Sequence, residues 1–389
     1  MKKRILWVTC LFLCSSFLIH AQTWDPAKRL TYTTGSSLSP AIAAYWLYVH
    51  AVWVDNVSGA TELYYKKSTD MGATWSSPMR LTWGGAIPVM PSIAVNGTTV
   101  HIVYIQSDEI IYRRSVDNGA TWSRTQITWG MDVLGVNMAV CGSFIHLAVH
   151  AWPGMLGSYP GVYYKRSTDN GVTWSIPTKL GDCSYDFPVI TASGVNVHVV
   201  YTNEVLHWGH RDMYYRRSTN NGAIWNAPLQ LASFEKAQLK EDADSEKPVW
   251  NPSVIASGAN VHVVYRGPSE WLSYPSDLFS KSSTDNGTTW GFAKRLTWSG
   301  WIYGLTPKTA AADGTNVYVA YNDNFTFEIY FKKSTDCGVT WSAPTRLTYF
   351  APNFNPSMIY SPGTGYFHIL FPDYVDATYL TEIYYKRGK

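Results

Sequence analysis

The chain has 389 residues, with 31 basic and 28 acidic side chains and a formal charge of +3. So small an imbalance excludes a basic nucleic-acid groove or a polybasic membrane patch as its organising feature. Its 5 cysteines have no framework spacing, so disulfides are not expected to hold the fold together.

Met1-Lys2-Lys3-Arg4, the apolar run from Ile5 to Ile19, and His20-Ala21 have the three parts of a secretory signal. Cleavage is expected after Ala21, leaving residues 22–389 secreted or periplasmic. Neither Cys10 nor Cys14 follows a small residue of the kind a lipoprotein signal prefers, and no later apolar run is long enough to span a membrane.

From Ser68 onward an octapeptide recurs six times. Ser68-Thr69-Asp70-Met71-Gly72-Ala73-Thr74-Trp75 is the first copy, and the others begin at Ser115, Ser167, Ser218, Ser283 and Ser334. Repetition at fixed internal spacing marks a repeat architecture, in which no unit buries its apolar face alone. An aromatic strand such as Glu62 to Lys67 precedes each copy and a second strand such as Met79 to Thr82 follows, so each copy is read as a hairpin turn. Its Asp accepts hydrogen bonds from turn amides, its Gly takes positive φ, and its Trp is expected to fold back over the hairpin. The fourth copy has Asn220 and Ile224 in place of Asp and Thr, which weakens its polar lock.

Ahead of each aromatic strand lies a strand carrying His50, His101, His146, His198, His262 or His368, with Tyr318 in the remaining unit. Short strands of small residues, often opened by Pro, precede these. Each unit is thus a four-stranded antiparallel sheet. The last unit stops at Ile383 to Arg387, while Thr23 to Thr31 reads like the tail of a unit. The predicted fold is all-β: a seven-bladed β-propeller closed by the N-terminal strand completing the C-terminal blade, seven following from a period of about 52 residues.

The SxDxGxTW pattern resembles the Asp-box, or BNR repeat, of the sialidase-like β-propellers. The resemblance covers the mature chain and implies a structural role, on the rim away from the ligand, for Asp70, Asp117, Asp169, Asn220, Asp285 and Asp336. Sialidases of that family are expected to use three arginines, a Tyr–Glu pair, an Asp acid and an Arg-Ile-Pro motif. The nearest match to the last is Ala86-Ile87-Pro88, which lacks the Arg.

Specificity is expected in the loops of the opposite face, where His150 to Gly161, Thr202 to Arg211 and Arg266 to Asp277 are long. His150, His207 and His210 are the histidines outside both the leader and the repeated position. They are read either as exposed loop residues or as proton carriers or ligands. Trp152, Tyr159, Trp208, Arg211, Arg266 and Trp271 are the candidate substrate-binding residues. Asp132 and Asp186 are read as solvated loop acids or as the acid and base of a glycosidase. Glu62, Glu109, Asp212, Asp277, Glu328 and Glu382 open the aromatic strands, and their repetition points to structure, with bonds to an adjacent blade one option.

No cofactor and no metal are assigned. The favoured expectation is a monomeric carbohydrate-recognising propeller whose partner is a glycan or glycoconjugate, with glycoside hydrolysis left open. The alternatives are a His-dependent polysaccharide lyase or metal-dependent enzyme, and a non-catalytic scaffold for a surface or periplasmic protein.

Overall fold

The computed structural model describes residues 23–153, 160–182, 187–206, 210–233, 250–268, 276–299, 302–303, 309–323, 325–349, 355–375 and 380–389. The expected leader, residues 1–21, lies outside them. They form seven antiparallel sheets, with no helix among the described residues. The innermost strands, Ser37–Tyr45, Val89–Asn96, Met131–Cys141, Val189–Ser193, Trp250–Ser257, Ala310–Asp313 and Ser357–Ser361, pack each on the next, and the last packs on the first. In the sixth blade a further short strand, Ile302–Tyr303, pairs beside Ala310–Asp313 on the same neighbour.

Alternation along each second strand assigns its side chains to two cores. In Thr99–Gln106, Val100, Ile102 and Tyr104 pack toward the first blade, whereas Val103 and Ile105 pack toward the third. Every blade is therefore buried on both faces, and the apolar cores lie between blades.

The ring closes as expected. Lys28 and Arg29 pair with Tyr385 and Tyr384, and Thr23 and Lys389 exchange backbone hydrogen bonds of 3.0 and 2.9 Å. Leu30 is 2% exposed in the joint, and Trp24 packs edge-on against Phe331 at 5.2 Å.

The six octapeptides form one turn. In the second, Ser115 Oγ donates to Asp117 Oδ1 at 2.7 Å and accepts the Gly119 amide, while Thr121 gives its amide and hydroxyl to the same carboxylate. Hydrogen bonds of this kind from Thr173 hold Asp169 down to about 2. Asn220 still accepts the Ile224 amide at 2.8 Å, but Ile224 has no hydroxyl to add. The Asn118 amide donates to Thr98 O at 2.9 Å, which ties this turn to the innermost hairpin of its own blade and places both on one face. Equivalent bonds occur in all six turns.

Five of the six indoles pack across a blade boundary rather than over their own hairpin, while Trp341 donates to Gly338 O of its own turn at 3.1 Å. Trp75, Trp122, Trp174, Trp225 and Trp290 pack edge-on against Tyr385, Tyr65, Tyr112, Tyr164 and Tyr215, each on the preceding blade. Each of these tyrosines shares a 2.7 Å hydrogen bond with the repeated His of its own blade. A Cβ on Gly171, at φ +87, would lie 2.1 Å from the Tyr112 hydroxyl, so both backbone and neighbour demand glycine there. The repeat is thus a staple between blades. The strand-opening acids act within a blade instead: Glu62 accepts Arg80 and Gly84 N, Asp277 accepts Arg295 and Thr297, Glu328 accepts Arg346, and Glu382 accepts Arg29. This replaces the bond to an adjacent blade with one to the outer strand of the same sheet.

Candidate functional site

The face opposite the octapeptide turns is uneven because the strands themselves lengthen. In the third blade Met131–Cys141 and Phe144–Pro153 run past the length of their counterparts, and in the fourth Asn196–Leu206 pairs with His210–Ser218. His210 and Arg211 therefore stand in strand register opposite Leu206 and Glu204, where loop had been expected. Asp186, His207, Trp208, Tyr159 and Trp271 lie outside the described residues.

Asp132 and Trp152 are brought together. They are Cα partners across the first two strands of the third blade, so their side chains share a sheet face. Both are exposed, Trp152 at 48%. A carboxylate beside an open indole can accept a hydroxyl while the ring covers an apolar surface.

His150 stands two residues before Trp152 on the same strand face, and it is no exposed loop residue. It is 2% exposed, lies opposite Gly135, and both ring nitrogens lack hydrogen-bond partners. The reason is Phe187, whose ring occupies the space above Gly135 and sits 6.2 Å from the imidazole. A Cβ on Gly135 would come within 2.0 Å of Phe187 Cδ1, so glycine admits the ring that seals the histidine. Burial pushes the His150 pKa down, leaving it neutral.

Four residues beyond the repeated His or Tyr, every second strand reaches one equivalent position, each opposite an apolar residue of the aromatic strand. There the first and second blades have Val54 and Ile105, and the seventh has Pro372. The third to sixth have His150, Thr202, Arg266 and Asn322. These four are at most 7% exposed. Arg266, expected in a loop, is thus a buried strand residue opposite Leu278. A polar residue at this position in four successive blades, against an apolar one in the other three, sets that sector apart from the rest of the ring. Thr202 and Asn322 escaped the reading of histidines alone; aligning the units on their repeated His and counting four residues on would have found them. Asp373, beside this position in the seventh blade, was also missed. Burial raises its pKa to about 6, and its Oδ1 has no partner.

The arginines do not assemble a sialidase-like triad among the described residues. Arg29, Arg80, Arg295 and Arg346 are engaged by Glu382, Glu62, Asp277 and Glu328. Arg166, Arg217 and Arg387 donate to carbonyls of octapeptide turns. Among the described residues no three His, Cys, Asp or Glu side chains group as a metal would require, and no helix is long and apolar enough to cross a membrane.

Solved structures share the architecture. A polysaccharide lyase, an ulvan lyase with a saccharide bound, superposes with a TM-score of 0.59 at 13% identity over 92% of this chain and 95% of its own. The polysaccharide lyase Uly1 does so with a TM-score of 0.61 at 11% identity over 89% of both chains. A Trypanosoma rangeli sialidase has a TM-score of 0.51 at 10% identity over 93% of this chain, which spans only 59% of the sialidase. The chain matches no protein-family model and no curated protein. At these identities what the three structures share with it is the propeller fold.

Proposed function

We propose that this chain is an exported, monomeric carbohydrate-binding propeller that holds a polysaccharide across the third to sixth blades, on the face opposite the octapeptide turns. The observation that carries the reading is the exposed Asp132–Trp152 pair, which stands at the edge of the sector where His150, Thr202, Arg266 and Asn322 replace apolar residues. An indole stacks on the apolar face of a pyranose, and a carboxylate takes its hydroxyl protons. The resemblance of the octapeptides to Asp-boxes and the fold shared with saccharide-cleaving propellers support the same class of ligand. The signal-like segment 1–21 supports export, and the mass of protein recovered from medium or periplasm tests cleavage after Ala21. Binding is tested by presenting the purified chain to a panel of neutral and acidic polysaccharides. Trp152→Ala and Asp132→Ala should abolish retention on the bound polymer; retention unchanged in both sinks the reading.

His150 favours a second reading, β-elimination of a uronate polymer. Once Phe187 swings aside, a neutral imidazole can take the proton beside the uronate carboxylate. The electrons of that C–H bond form the new double bond as the C–O bond to the departing sugar breaks, and the leaving oxygen takes a proton from solvent. The Arg266 guanidinium would offset charge building on the carboxylate. The unsaturated product absorbs in the ultraviolet. Its formation by the parent chain and loss in His150→Gln support elimination; no product from any uronate polymer removes this reading and leaves binding intact.

A further inference from the structure

The groove between the first and second blades is built unlike its counterparts. Five outer strands begin after Pro26, Pro78, Pro177, Pro228 or Pro344; the second and fifth blades have no proline there, and the second differs from the fifth in having one residue fewer between its Trp and its outer Thr. Its outer strand, Ser123–Gln126, therefore pairs continuously and sets Arg124 directly opposite Arg113. Two like charges facing each other across an antiparallel pair destabilise a sheet unless something lies between them.

Neither guanidinium pairs with a carboxylate among the described residues. In four other blades the residue matching Arg113 reaches back to the preceding outer strand: Lys66 to Leu30 O, Arg216 to Leu180 O, Lys281 to Leu231 O and Lys332 to Leu296 O, at 2.6 to 2.7 Å, while in the third Lys165 donates to Ser175 O of its own blade. Arg113 makes no such bond to Leu81. Its side chain is 8% exposed, Nε reaches only the Tyr104 hydroxyl at 3.4 Å, and neither Nη has a hydrogen-bond partner among the described residues. Among the described residues Arg124 has a single long contact, 3.5 Å to Gln106 Oε1. Both line a cavity of about 440 Å³ with Trp83, Gln106, Gln126 and Glu109. Glu109 is the lone acid of that lining and is bound to the Gly130 amide, so the lining keeps a net positive charge.

Trp83 stands at the lip, 69% exposed, with no ring or cation over either face among the described residues. Its counterparts Tyr32, Trp298 and Tyr349 are capped by Arg29, Arg295 and Arg346 at 4.6, 5.7 and 4.5 Å. An open indole next to two guanidinium groups and two amides, in a cavity within the size range of small-ligand sites, is complementary to one chemistry. The Trp83 indole stacks on a pyranose, while planar forks of N–H donors grip its charged substituent.

We propose that this groove is a second saccharide site, for a sugar residue bearing a carboxylate or a sulfate ester, separate from the arc of the third to sixth blades. It rests on the carbohydrate reading and extends it to a site with its own ligand charge. Affinity electrophoresis in gels containing dextran sulfate, polygalacturonate or neutral dextran tests it. The parent chain should be retarded by one or both acidic polymers and not by dextran, and the polymer that retards it identifies sulfate or carboxylate as the group held. Trp83→Ala and Arg124→Ala, both at exposed positions, should each weaken that retardation about tenfold, whereas Trp129→Ala should not. In thermal melting, the acidic polymer that retards the parent chain should raise its Tm but not that of Arg124→Ala. Acidic polymers that bind both variants as they bind the parent overturn the groove alone, as does binding confined to dextran. No binding to any polymer, here or across the wider panel, overturns both sites.

Discussion

The two faces of this ring are made of the same strands and obey different rules. At the octapeptide face, a Ser–Asx–Gly turn and a Trp recur in six blades, and in five of them the indole packs on a His-bonded Tyr of the blade before. At the opposite face the equivalent strand position changes from Val54 and Ile105 to His150, Thr202, Arg266 and Asn322. Identical contacts repeated around a ring add stability at each boundary without distinguishing any boundary. Selectivity is therefore left to the face where the repeat breaks down.

The largest expected effect comes from opening the ring. Deleting residues 23–31 removes the strand paired with Tyr384 and Tyr385 and exposes an unprotected sheet edge, so the cooperative unfolding transition followed by circular dichroism should vanish. A deletion variant that melts like the parent would show that closure contributes nothing.

Acid should come next, through the octapeptide side. Burial, with nearby cationic side chains adding in most blades, holds His50 and His368 at about 3 and His101, His146, His198 and His262 at about 4. An unfolded histidine titrates near 6.5. Below that pH the unfolded chain takes up protons that the native ring refuses, so the stabilisation is complete above about pH 6.5 and is lost as pH falls toward about 4. Each imidazole contributes about 1.4 kcal/mol per pH unit in that window, and six together about 8. Urea unfolding across this range should show the slope, and His101→Gln should reduce it by about 1.4 kcal/mol per pH unit. Stability constant down to pH 4 would contradict the buried neutral ring.

Trp174→Ala should destabilise by about 3 kcal/mol, because it empties the contact with Tyr112 at one blade boundary. Chemical denaturation measures it, and a cost below about 0.5 kcal/mol would remove the staple argument. The smallest effect should be a gain. Asn220→Asp with Ile224→Thr restores the hydroxyl–carboxylate bond of the other turns and withdraws an isoleucine that is 71% exposed, adding about 0.5 to 1 kcal/mol. The double variant should melt above the parent; melting below it would mean that the fourth turn is already optimal.

Legibility followed the same divide. Blade number, strand order and closure could be read because Trp24 to Leu30 and the six octapeptides each repeat a local pattern whose geometry is set within a few residues. The partner of the indole could not be read, since Tyr112 and Trp174 meet only after two blades have packed. On the other face, Asp132 and Trp152 were recognised separately by chemical type, but their pairing depends on strand register. His150 was taken for loop because its strand runs beyond the repeat length, and its burial depends on Gly135 leaving room for Phe187. Arg266 and Asn322 carry a signal that emerges only when units are superimposed on one another.

Separation of scaffold from recognition is the central claim, and paired substitutions on the two faces test it most directly. For a polysaccharide bound by the parent chain, calorimetric titration and thermal melting would be run on Asp132→Ala/Trp152→Ala and on Trp174→Ala. Loss of binding at unchanged Tm in the first, with lowered Tm and retained affinity below the melt in the second, is the predicted result. Affinity kept by the first variant, or lost from a still-folded second, would contradict it.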